Sequence, residues 1–294
     1  MTEPALELNT LSKRFDLKEV LKGISASVAP GEVIGLLGLN GAGKTTLLET
    51  ALGFSLPNGG SAHVFGQDSA SMDGATKARI GFVPQRDELL DGMTGSAYLR
   101  LIAEFYPAWN RDLVARLARE WSVPLDTKIG KLSIGQRQKL SIISALGHEP
   151  DLIILDEPVA SLDPVARRSF LKELVDIAST QTRAIVFSTH IVTDLERVAS
   201  RVWLMQDGQL RIDATMDEMK EEFVRVHLPP SVQLPLTLTQ GKGLSSTVLR
   251  TRSDEHGGTI ALLRITGGAG GLDFGPGAHR ENLPLEDLFL ELHA

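Results

Sequence analysis

Along the first two-thirds of the chain, short uninterrupted apolar runs alternate with longer segments of helical spacing. Val33–Leu37, Ile80–Val83, Leu152–Leu155 and residues 184–187 are apolar without alternation, the pattern of strands buried on both faces. Between them, residues 44–52, 95–106, 111–121, 133–146 and 164–180 repeat apolar positions at helical intervals. Buried strands joined by helical crossovers predict a mostly parallel sheet with helices on both sides. Residues 6–8 and 24–28 alternate instead, and predict half-exposed strands of an antiparallel addition.

After residue 222 the texture changes. Leu228-Pro229-Pro230 stops the helix expected to begin at Met216, and glycine becomes dense between Gly241 and Gly277. Residues 259–266 read as a strand and 284–292 as a closing helix. The chain is therefore expected to divide into a domain over 1–222, with a helical subdomain at about 90–150, and a small α+β accessory domain over 223–294. It has no fixed-period repeat.

With 294 residues, 42% hydrophobic and 23% charged, the composition is that of a globular protein and excludes a fibrous or disordered one. The most apolar stretch, residues 33–39, is interrupted by Gly35 and Gly38 and falls short of the ~20 residues needed to span a bilayer. Met1-Thr2-Glu3-Pro4 is neither basic nor apolar, so no secretory leader is expected. The absence of cysteine excludes disulfides, thiolate nucleophiles and cysteine-ligated zinc. A net charge of −7 argues against a nucleic-acid partner, and a cytosolic setting is expected.

The chemistry concentrates in two places. Gly38-Leu39-Asn40-Gly41-Ala42-Gly43-Lys44-Thr45, followed by Thr46, lies between a predicted strand and a predicted helix. It matches the phosphate-cradling G-x-x-x-x-G-K-[ST] loop at every defined position. Its glycines let backbone N–H groups close around phosphate oxygens, and the new helix directs its unpaired N–H groups at the same anion. Lys44 suits the terminal phosphates and the Thr45 hydroxyl suits Mg²⁺. Second, the strand 152–155 ends in Asp156-Glu157, and carboxylates are costly at a buried strand end without a task. Ligands of open α/β sheets sit at the carboxyl ends of strands, which places both acids beside a Mg²⁺-nucleotide. Successive strand residues point opposite ways. Asp156 is accordingly assigned to the metal shell through water, and Glu157 to the base that orients and deprotonates the attacking water. The fold expected is α/β, a P-loop NTPase with a mostly parallel sheet, an antiparallel β subdomain, a helical subdomain and a small C-terminal extension.

In sequence order with these motifs stand others. Leu132-Ser133-Ile134-Gly135-Gln136 precedes a predicted helix, Gln85 follows the strand 80–83, Ser161-Leu162-Asp163 follows the acids, and His190 follows the strand 184–187. Over residues 6 to about 222 the chain thereby resembles the ATP-binding subunit of an ABC transporter. The resemblance identifies Ser133, Gly135 and Gln136 with that family's signature and Gln85 with its Q-loop, where it serves metal and catalysis. Asp163 falls in the D-loop, His190 matches the switch histidine that reaches the terminal phosphate, and Phe15 matches the aromatic that stacks on adenine. Each has a plainer reading: Gln85 a loop hydrogen-bonder, His190 a solvated helix start, Phe15 a core residue, Ser133 only a helix cap. Ile134 departs from the family, which usually has glycine there, and a β-branched side chain does not take positive φ cheaply.

The resemblance implies hydrolysis of ATP with Mg²⁺. It also implies a head-to-tail dimer, with a second copy or a related ATPase subunit, in which one subunit's signature closes over the other's P-loop. Any transport would need a separate integral membrane permease and would hold the chain at the cytoplasmic face of the membrane. Residues 95–121 are the contact surface expected for it. Of their apolar residues Tyr98, Leu101, Phe105, Tyr106 and Trp109, most are expected in the core of the helical subdomain. Residues 105–110 and 283–290 look like the efflux branch of the family and point to export. The alternative is a soluble ABC-type ATPase not coupled to transport. A GTPase is disfavoured because no Asn-Lys-x-Asp motif is present.

Overall fold

The computed structural model describes residues 3–230, 245–254, 257–266, 274 and 277–293. Most of the glycines between Gly241 and Gly277 lie outside the described residues. The chain divides into two compact units between Asp213 and Ala214, rather than after residue 222.

In the first unit, β1 (Leu6–Phe15), β2 (Lys18–Val28), β4 (Gly59–Val64) and β5 (Gln67–Asp68) form an antiparallel sheet in the order β2-β1-β4-β5. A second sheet combines β3 (Val33–Leu37), β6 (Ile80–Val83), β7 (Leu152–Leu155), β8 (Ala184–Thr189), β9 (Arg201–Gln206) and β10 (Gln209–Thr215). Its order is β10-β9-β3-β8-β7-β6, and the pairs from β9 through β6 are parallel. Asp207 and Gly208, with φ of 52° and 76°, make the two-residue turn into β10.

The helices are α1 (Lys44–Ala51), α2 (Gly74–Lys77), α3 (Gly95–Ala103), α4 (Arg111–Glu120), α5 (Ile134–Leu146), α6 (Pro164–Ala178) and α7 (Val192–Val198). Their starts are written in the sequence. The side chains of Thr94, Asn110, Ser133 and Asp163 cap α3 to α6, and Pro164 opens α6 where its missing N–H costs nothing. β3, β7 and β8 are buried along their whole lengths. One face of this sheet shares a core with α1 and the antiparallel sheet, including Leu6, Leu21, Ile34, Leu36, Leu47 and Trp203. On the other face α7 packs so closely that a Cβ on Gly35 would collide with Leu195. Each fully buried Leu or Ile in these layers contributes about 1.5–3 kcal/mol. The result is a rigid sheet whose strand ends carry the site.

The expectation that most of Tyr98, Leu101, Phe105, Tyr106 and Trp109 are core is corrected: none of them is buried, and Phe105 is 73% exposed. α3 commits only Gly95 and Leu99 to the interior. Tyr98 and Tyr106 instead line a groove of about 370 Å³ with Leu52, Phe54, Phe82 and Ile102. Tyr106 stacks on His148 at 3.8 Å between ring centroids.

The second unit contains α8 (Met216–Glu221), β11 (Phe223–Leu228), β12 (Ser245–Ser253), β13 (Thr259–Thr266), β14 (His279–Asn282) and α9 (Leu285–His293). Its strands form an antiparallel sheet in the order β12-β13-β11-β14. Val224, Val226, Ala261, Leu263, Ile265 and Phe274 form a small core on one face. Arg225 on the other face binds Glu291 of α9 at 2.8 Å.

Candidate active site

β3 delivers the Gly38–Thr45 loop at its carboxyl end. A Cβ on Gly38 would stand 2.7 Å from the carbonyl oxygen of Met205 in β9, so no side chain fits there. Gly41 and Gly43 take φ of 84° and 106°, in the left-handed region that glycine alone enters freely. The loop therefore turns sharply into α1, whose first-turn N–H groups have no partner within the helix and carry its positive dipole end. Lys44 is buried at the start of α1. Its Nζ donates to the carbonyl oxygen of Gly38 at 2.8 Å and lies 3.1 Å from Glu157 Oε1.

Asp156 and Glu157 follow β7 and are both buried. They face different partners, although the turn at Glu157 and not strand alternation sets their directions. Asp156 Oδ2 accepts from the Thr45 hydroxyl at 2.5 Å, and its Oδ1 accepts from the Ser188 hydroxyl at 2.5 Å. Glu157 pairs with Lys44 through Oε1, while its Oε2 lies 2.9 Å from Nδ1 of His190, beyond the end of β8. Glu157 has φ of 47°, a left-handed conformation that costs a non-glycine residue of order 1–3 kcal/mol. Its backbone N–H donates to Ser188 Oγ at 2.8 Å.

A cleft of about 430 Å³ opens over this group. Phe15, Asn40, Gly41, Gly43, Lys44, Thr45, Thr46, Gln85 and Glu157 line it, together with Lys18 and Val20. Phe15 ends β1 and is 48% exposed, which removes the core reading of that residue. Gly38 and Ala42 complete the loop beneath the cleft, Ala42 bonding backbone-to-backbone with Leu39 and Gly208. The donors gathered here are the Thr45 hydroxyl, the Asp156 carboxylate and the Gln85 amide, hard oxygens of the kind Mg²⁺ takes. Among the described residues no group of three or more His, Cys, Asp or Glu could hold a metal. The site thus fits an ion that keeps most of its shell in water and substrate phosphates, as Mg²⁺ does.

Ser133, Gly135, Gln136 and Asp163 do not line this cleft. Ser133 and Gln136 cap α5 reciprocally: the Gln136 N–H donates to Ser133 Oγ at 3.2 Å, and the Ser133 N–H donates to Gln136 Oε1 at 2.9 Å. Asp163 accepts from the N–H groups of Ala166 and Val165 at the start of α6, which holds its carboxyl below the usual carboxylate range. A Cβ on Gly135 would lie 3.1 Å from the carbonyl oxygen of Ser161, so the starts of α5 and α6 are neighbours. Ile134 is the first residue of α5 and does not have positive φ. Its side chain is 73% exposed, and the departure from glycine meets no backbone obstacle.

Reasoning from sequence missed Ser188, Lys18 and Val20. Ser188 carried a signal: a hydroxyl at the end of a wholly buried strand needs partners there. Lys18 and Val20 enter only through the pairing of β2 with β1, which no local pattern announces.

A family model described as ABC transporter matches residues 21–160. The ABC transporter ATP-binding protein YtrB of Bacillus subtilis (strain 168) is 29% identical over 258 residues, spanning 85% of this chain and 88% of that protein. The Nod factor export ATP-binding protein I of Burkholderia pseudomallei (strain 1710b) is 32% identical over 249 residues, 80% of each chain. Among solved structures, the ATP binding subunit of an ABC transporter superposes with a TM-score of 0.67 at 29% identity, covering 74% of this chain and 92% of that one.

Proposed function

The chain belongs to the ABC transporter ATP-binding family, and on that premise we propose that it hydrolyses ATP to power export through a separate membrane permease. The observation that carries the reading is that Lys44, Thr45 and Glu157 line one cleft while Asp156 bonds to Thr45 and His190 to Glu157, where β3, β7 and β8 end. In this reading the loop N–H groups and Lys44 hold the phosphates, and Phe15 stacks on the base. Thr45 and Gln85, with Asp156 through water, would hold Mg²⁺, which would neutralise charge on the phosphate oxygens. Glu157 takes a proton from the attacking water, and His190, hydrogen-bonded to Glu157, contacts the terminal phosphate. Phosphoryl transfer of this kind depends on positioning and charge more than on covalent chemistry.

The neighbouring starts of α5 and α6, with Ser133, Gly135, Gln136 and Asp163, would face the nucleotide of a second ATPase subunit. Their separation from the cleft of their own chain supports that division of labour. Among the described residues no helix is long and apolar enough to cross a membrane. Transport therefore requires another protein for the spanning part, and the chain would sit at the cytoplasmic face through it. The groove lined by Phe54, Tyr98 and Tyr106 is the docking place we assign to that permease. Export is favoured by the name of the Nod factor export relative.

The test is to capture a tagged chain from solubilised membranes of its own source cell and to measure Mg²⁺-dependent ATP hydrolysis. Co-purification of an integral membrane protein that stimulates hydrolysis is expected. Hydrolysis by a chain that brings down no membrane protein would instead identify a soluble ATPase.

A further inference from the structure

Ser188 is the penultimate residue of β8 and has no exposed surface. A hydroxyl owns one proton and two lone pairs. Ser188 spends the proton on Asp156 Oδ1 at 2.5 Å and offers a lone pair to the Glu157 N–H at 2.8 Å. The directions are forced, because the amide can only donate and an ionised carboxylate can only accept. One atom on β8 thus touches both acids that end β7: the side chain of the first and the backbone of the second.

The backbone contact falls where the chain is strained. Glu157 stands at φ 47°, and that conformation aims its carboxylate at Lys44 and His190. Removing the Ser188 oxygen would leave a buried N–H unpaired next to a residue that prefers another conformation. It would also leave, among the described residues, the Thr45 hydroxyl as the one remaining hydrogen-bond donor to the Asp156 carboxylate.

We propose that Ser188 is a positioning residue for hydrolysis, fixing the Asp156 carboxylate and the strained Glu157 backbone as one unit. The proposal rests on the ATPase reading of the site. Ser188 touches neither phosphate nor water itself and acts through the two acids.

The experiment compares Ser188→Ala and Ser188→Cys in the full chain. Cysteine fills the space of serine but is a weak donor, so the pair separates packing from hydrogen bonding. Measured are kcat and KM for ATP, melting temperature, and Mn²⁺ binding with ADP by electron paramagnetic resonance. Both variants should lose kcat by ~10–100-fold, with KM within about threefold of the parent. Both should also bind Mn²⁺ more weakly while keeping the parent's affinity for ADP without metal. Parental kcat and Mn²⁺ binding in the cysteine variant would reduce Ser188 to a space-filler and overturn the proposal. So would a loss of kcat that merely tracks melting temperature, and if the alanine variant does not fold, the cysteine variant decides alone. A parent chain without Mg²⁺-dependent hydrolysis would sink the ATPase reading first, a result distinct from failure of the Ser188 variants alone.

Discussion

Replacing Lys44 by methionine removes an ammonium from beside a buried carboxylate while keeping the length of the side chain. Lys44 and Glu157 expose only 6% and 5% of their side chains, and Nζ stands 3.1 Å from Oε1. At an effective dielectric constant of ~20, Coulomb's law gives about 5 kcal/mol of attraction at that separation. One feature reduces the net loss: His190 Nδ1 still faces Oε2. About 2–3 kcal/mol of destabilisation is expected, the usual sign when one member of a buried pair is removed. Glu157→Gln should cost a similar ~2–3 kcal/mol, because it leaves the Lys44 ammonium buried with the Gly38 carbonyl in place of a counter-charge. The double variant should then be more stable than the sum of the single losses predicts, by ~2 kcal/mol. Trp109, Trp121 and Trp203 all lie in the first unit, so tryptophan fluorescence in a urea titration without nucleotide reads that unit alone. Additivity within ~0.5 kcal/mol would refute the coupling.

Two further outcomes follow from the packing. Gly38→Ala should destabilise the first unit by ~1–3 kcal/mol and weaken ATP binding, because its Cβ would press on the Met205 carbonyl at the base of the phosphate loop. Unchanged binding in an isothermal titration would contradict that placement. Burial holds the His148 imidazole below its ordinary pKa of 6.5. The unfolded chain therefore takes up the proton first, and His148 makes stability fall as pH drops below 6.5, by at most about 1.4 kcal/mol per pH unit. Denaturant titrations from pH 8 to 5 should show a shallower decline for His148→Phe, whereas parallel curves would count against the assignment.

What the sequence made legible was what local patterns control. β3 and β7 read as continuous apolar runs because both of their faces are covered, and the helix starts read from their capping side chains. β1 and β2 were visible only in part. From Ser12 to Phe15 β1 is part-buried and then exposed without alternation, which hides the end of the strand and with it the neighbourhood of Lys18 and Val20. Tyr98 and Tyr106 were misread because apolar character marks an interior and an apolar groove alike. The site's residues could be named one by one, but the joint role of Ser188 could not. It depends on β8 lying beside β7 in register, a fact of sheet order and not of spacing along the chain.

The central assignment is Glu157 as the base beside a phosphate-binding Lys44. The deciding measurement is steady-state ATP hydrolysis by Glu157→Gln at saturating Mg²⁺ and ATP, alongside equilibrium ATP affinity. A fall in kcat of ~10²–10⁴-fold with affinity within about threefold of the parent is predicted. Hydrolysis within about tenfold of the parent would rule out Glu157 as the base.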